Sequence, residues 1–153
     1  MKNIIKLLFF SVLLCVLNSC ASVNSVASKI TIDSGEIPPE MKNENFILIG
    51  ILSGRNSYDK FVKKAFNEYP GEYVLGTMED LNTKYNDIEK YRYYMNYGLS
   101  NNRITNAVGT RYYIVDRKLG KTYRRKSGSS FYALEMEAYL QAIDRVSQKT
   151  IKI

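Results

Sequence analysis

The sequence predicts an α+β domain: a single mixed β-sheet of about five strands with three helices packed on it. Three observations carry this expectation. The apolar run at 46–52 (Phe-Ile-Leu-Ile-Gly-Ile-Leu) is rich in β-branched residues and reads as a strand buried on both faces. Apolar residues recur with a helical period in segments after Ser57, after Thr77 and before Val146. Tyrosine-rich stretches near 91–97 and 111–116 carry the composition and alternation of strands.

The elements follow in order. After the strand at 46–52, Ser53-Gly54-Arg55-Asn56 reads as a loop, and Ser57 suits a helix N-cap with Asp59 in the first turn. Tyr58, Phe61, Val62, Ala65, Phe66 and Tyr69 share one helical face, and Pro70-Gly71 ends it. Residues 72–76 form a second strand, joined to the first by a right-handed crossover. Thr77 is expected to cap a second helix with Asp80 in the capping-box position, burying Met78, Leu81, Tyr85 and Ile88. In the strand at 91–97, Tyr91, Tyr93, Met95 and Tyr97 face one way, and Arg92, Tyr94 and Asn96 the other. Polar, Asn-rich 98–110 reads as a loop. Strands at 111–116 and 122–125 flank a turn at Leu119-Gly120. Ser129 or Ser130 caps the last helix, whose stripe is Tyr132, Met136, Tyr139, Leu140, Ile143 and Val146.

The amino terminus reads as an address. Lys2 and Lys6 precede an apolar run at 7–17 that is about half the ~20 residues a spanning helix needs, as in a secretory signal peptide. It ends in Leu17-Asn18-Ser19-Cys20, which resembles the lipobox of bacterial lipoprotein precursors. The resemblance implies a signal peptide over 1–19, cleavage before Cys20, a diacylglyceryl thioether on its sulfur and an acylated amino group. Two or more acyl chains anchor a protein stably where one does not. The family's inner-membrane retention signal is usually Asp after the cysteine, so with Ala21 there the resemblance implies the outer membrane, with the domain facing the periplasm. Residues 20–44, rich in Ser, Asn, Lys and Glu with Pro38-Pro39, read as the lipidated cysteine and a flexible tether. The single domain then occupies 45–153.

Composition narrows the chemistry. The 153 residues contain no His, which removes His-based triads, general bases and metal ligands. Two cysteines cannot build a four-cysteine metal site, and Cys15 lies in the discarded segment. We expect no metal and no cofactor. Asp59, Asp80 and Asp116 are the carboxylates an acid–base enzyme would need, but no spacing marks a nucleophile or a tuned acid. Glu79-Asp80 sits where acids favour a helix start. The Ser53–Ser57 loop has the position of an anion-binding turn but not a Walker spacing.

The net charge is +7, falling to +5 once Lys2 and Lys6 are removed. The excess gathers in one hairpin, where Arg117, Lys118, Lys121, Arg124, Arg125 and Lys126 stand without an acid among them. With Tyr123 they form a candidate surface for anionic lipid, an anionic polymer such as a glycan, or an acidic partner; the alternative is a solvated edge guarded against aggregation. Thirteen tyrosines suit either half-buried strands or, as at Tyr91, Tyr93, Tyr94 and Tyr97, stacking on sugars or bases. The compartment argues against nucleic acid.

The strand at 46–52, the helix from Ser57, the strand at 73–76 running into Glu79-Asp80-Leu81 and the turn Asp116-Arg117-Lys118-Leu119-Gly120 carry a second resemblance. Together with the final helix they look like the amino-terminal domain of TolB, CsgG-type secretion lipoproteins and lipoprotein activators of penicillin-binding proteins. That resemblance implies envelope assembly or partner binding without catalysis. The expected function is therefore a non-catalytic envelope lipoprotein that binds another envelope component. A periplasmic immunity or inhibitor lipoprotein is the alternative, and a carboxylate-dependent cell-wall enzyme a third reading.

Overall fold

A computed structural model describes residues 23–101, 108–126 and 132–148. The expected signal segment, Cys20 and the expected cap at Ser129 or Ser130 lie outside the described residues. The elements are β1 (Leu48–Ile51), α1 (Asn56–Asn67), β2 (Tyr73–Gly76), β3 (Tyr93–Asn101), β4 (Val108–Asp116), β5 (Lys121–Arg124) and α2 (Tyr132–Gln148). A helical stretch at 23–27 and a 3-10 turn at Pro39–Lys42 precede them. The five strands form one sheet in the order β2-β1-β3-β4-β5. β1 pairs parallel with β2 and β3, and the rest of the sheet is antiparallel. The α+β class with a single mixed sheet is thus the architecture of the chain.

Every residue of β1 is buried, because the sheet is covered on both faces. Leu48, Met95, Ile114 and Tyr112 face α1 and α2 in the larger core. Ile49 and Ile51 face Leu81, Val74, Tyr85 and Tyr91 on the opposite side. The β1–β2 connection, carrying α1, and the β2–β3 connection run in opposite directions along the sheet. Right-handed crossovers then place them on opposite faces. Gly50 is where Phe66 of α1 and Leu75 of β2 close on β1: a Cβ there would lie 2.7 Å from each side chain.

Three expectations are corrected. Residues 77–92 form a succession of turns instead of a helix, leaving Met78 and Ile88 exposed. The box between Thr77 and Asp80 does form, the Thr77 N–H donating to Asp80 Oδ2 at 2.8 Å and the Asp80 N–H to Thr77 Oγ1 at 3.3 Å. Beyond it, Asn82, Thr83, Asn86 and Asp87 favour turns over helix. The carbonyls of Leu81, Tyr85 and Tyr91 accept from the Arg117 guanidinium.

Second, 98–110 is not a single loop. β3 and β4 continue as a ladder, Gly98 pairing with Arg111 and Asn101 with Val108. The stretch lacks the apolar alternation that reveals a strand, but backbone pairing does not require it.

Third, the described part of the expected tether is folded. Ala27, Ile30, Ile37 and Met41 are buried in the larger core. Polar composition hid them because the apolar residues are spaced for an irregular segment rather than for one helix or strand. The domain therefore begins no later than Val23.

Candidate functional site

The basic hairpin joins β4 to β5 at the open edge of the sheet. Its turn is built by Asp116, whose Oδ1 accepts the N–H groups of Lys118 at 2.9 Å and Leu119 at 3.0 Å. Gly120 closes it with φ of 63°, a left-handed conformation that favours glycine. Asp116 is fully buried and also takes a forked contact from Arg92, whose Nη2 lies 2.6 Å from Oδ2. Burial alone would raise the Asp116 carboxyl, but the hydrogen bonds from Arg92 and the turn N–H groups hold it below its ordinary value. Arg92 reaches Glu44 as well, and the Tyr93 hydroxyl donates to that same carboxylate.

The seven candidate residues separate into two groups. Arg117 turns inward, its Nη1 donating to the carbonyls of Tyr85 at 2.6 Å and Tyr91 at 2.8 Å. Tyr123 is buried against the sheet face. Arg125 is buried between two carboxylates, with Nη1 2.6 Å from Glu36 Oε1 and Nε 3.2 Å from Glu135 Oε2. These three are parts of the fold and are not a docking surface.

The remaining four are exposed. Lys118 pairs with Glu89 at 2.7 Å. Lys121 stands over the Tyr123 ring at 4.7 Å, and Arg124 over the Tyr113 ring at 5.4 Å. Because successive residues of a strand point to opposite faces, Lys121 and Arg124 place charge on both sides of β5. Lys126 follows, exposed, while its backbone N–H donates to Glu36 at 2.7 Å. What remains is a compact basic edge centred on Lys121, Arg124 and Lys126, whose aromatic supports restrict the cations without neutralising them.

The acids named from the sequence are each engaged locally. Asp59 accepts the N–H groups of Ser53 at 2.8 Å and Gly54 at 3.0 Å, so a side-chain carboxylate already occupies the donors an anion would take in that loop. Asp80 serves the Thr77 turn and pairs with Lys84 at 2.9 Å, and the Thr77 backbone and Lys84 lower its carboxyl to about 2. Asp116 holds the β4–β5 turn. Among the described residues no group of three acidic side chains is placed to hold a metal ion.

The tyrosines fill the sheet. Tyr93 is fully buried, Tyr97 packs on Tyr58 with ring centroids 3.9 Å apart, and Tyr91 meets Tyr85 at 5.0 Å. Tyr91 lies before β3 and so covers the face opposite Tyr93, against the expected alternation.

One feature was invisible in the sequence: an open cleft of about 610 Å³ where the loops after β1 and β2 part to opposite faces. Ser53, Arg55, Thr77, Met78, Asn96 and Tyr97 line it. Only the strand order brings these segments together.

No family model matches the chain, and no curated protein matches it. Among solved structures, a PelC dodecamer from Paraburkholderia phytofirmans shows an outline with a TM-score of 0.39 at 12% identity, over 69% of this chain and 90% of that one.

Proposed function

We propose that the chain is a non-catalytic envelope lipoprotein, anchored through lipid on Cys20 at the outer membrane and facing the periplasm, which binds another envelope component. The observation that carries the binding role is the exposed basic edge: Lys121 and Arg124 bound the four-residue strand at the rim of the sheet, and Lys126 follows it. The partner it suits is an acidic protein surface or an anionic envelope polymer. Two features support the absence of catalysis. The chain has no His, and Asp59, Asp80 and Asp116 are each committed to a turn or ion pair.

In-cell crosslinking followed by mass spectrometry tests this reading. Charge reversal at Lys121, Arg124 and Lys126 is expected to lower capture of the crosslinked partner about tenfold or more, with the protein folded and abundant. Undiminished capture would remove this edge as the binding surface. Arg125 is excluded from the set because reversing it would unbalance a buried ion cluster.

A further inference from the structure

The fold leaves no room for a tether between the candidate lipid site and the domain. Val23 packs against the larger core and lines a cavity of about 320 Å³ with Ala65, Glu68, Tyr69, Leu140 and Gln141. Asn24 Oδ1 accepts hydrogen bonds from Gln141 Nε2 at 2.8 Å and Arg145 Nη2 at 3.1 Å. Cys20 stands three residues before Val23. Three residues of chain span at most about 10 Å in any conformation. Lipid on Cys20 would therefore be held within that reach of the place where the chain enters the helical layer, between α1 and α2.

The outer face of α1, next to that entry point, is basic. Lys60, Lys63 and Lys64 are exposed on α1 at the i, i+3 and i+4 positions of one face. Lys64 lies 3.8 Å from Glu137, which lines the Val23 cavity. Lys29, exposed, follows the helical stretch at 23–27. Glu68, Glu137 and Asp144 line the cavity itself and Asp33 shares the neighbouring one with Arg145, so the positive charge is gathered on the outer face of α1 and not at the entry point. The basic β5 edge is elsewhere. It lies three strands from β1 across the sheet, about 14 Å at ordinary strand spacing.

We propose that the domain rests directly on an anionic bilayer, with the outer face of α1 marked by Lys60, Lys63 and Lys64 against the headgroups, leaving the β5 edge clear for its partner. The inference rests on the reading that Cys20 is lipidated. The short link fixes which face meets the membrane, and the lysines make that contact favourable.

The test uses the full lipidated chain in vesicles of phosphatidylethanolamine and phosphatidylglycerol containing a headgroup spin-labelled lipid as quencher. After processing and lipidation, a single introduced cysteine is the sole free thiol, so a fluorophore can be placed by Asn67→Cys on α1 or Thr122→Cys on β5. Quenching at position 67 is expected to exceed that at 122 by about threefold or more, because a spin label quenches only at close approach and β5 lies about 14 Å across the sheet from β1. Equal or reversed quenching would overturn the proposal. Inserting about twenty Gly and Ser residues after Ala21, enough for about 25 Å of reach, is expected to abolish the contrast. A contrast that survives the insertion would equally overturn the role of the short link. Palmitate incorporation is measured on the same samples. An unlipidated chain removes both the anchoring reading and this inference; a lipidated chain with equal quenching removes the inference alone.

Discussion

Arg125 beside β5 is bonded to Glu36, 89 residues earlier in the chain, with Nη1 and Oε1 2.6 Å apart. The contact is buried, with the two side chains 6% and 2% exposed. Arg125 also holds Glu135 of α2, and the Tyr139 hydroxyl donates to the Glu36 carbonyl. One guanidinium thus ties the amino-terminal segment, the sheet edge and the last helix together. A residue that the sequence offered as part of a docking surface is instead a joint of the fold.

Arg125→Met is accordingly expected to be severely destabilising. It removes the cation and leaves two buried carboxylates without it, a change that costs about 3–5 kcal/mol. Urea unfolding followed by circular dichroism would show the midpoint falling sharply. A loss below about 1 kcal/mol would mean that the cluster relaxes to water.

Arg117→Lys separates structure from binding at the same hairpin. A single ammonium cannot reproduce the fork that reaches Leu81, Tyr85 and Tyr91. The expected cost is about 1–3 kcal/mol. Amide exchange should quicken over residues 77–92 more than over β3, while partner capture stays unchanged. Lost capture in a stable protein would return Arg117 to the binding surface.

Acid should weaken the fold through Glu36 and Asp116. For both, burial acts to raise the carboxyl, but hydrogen bonds and the Arg125 or Arg92 charge bring it below the ordinary value. A group depressed in the folded state stabilises the fold above its unfolded value and loses that contribution as pH falls through its folded value. Stability is therefore expected to be level above the ordinary values of 4.5 and 3.8 and to decline below them. In Arg125→Met the part of this decline due to Glu36 should shrink, a difference that urea titrations at pH 3 to 6 would measure.

Legibility followed periodicity. α1 and α2 were readable from their helical apolar period, and β1 and β2 from short apolar runs bounded by polar or turn residues. The segment at 77–92 deceived because its capping box is real while its continuation is held by Arg117 from another element. The amino-terminal segment deceived in the opposite sense, since Ile30, Ile37 and Met41 are core residues carried on irregular backbone. Of the candidate site, the location of the basic hairpin was legible, but not which of its cations point outward. Arg125 and Lys126 are neighbours in sequence, and only the tertiary partners Glu36 and Glu135 place one inside and leave the other exposed.

The anchoring on which the functional account depends is tested most directly by growing cells with labelled palmitate. The account predicts that label enters the protein, that the protein fractionates with the outer membrane, and that Cys20→Ala abolishes the labelling. Palmitate retained by Cys20→Ala, or absent from the unmodified chain, would contradict it.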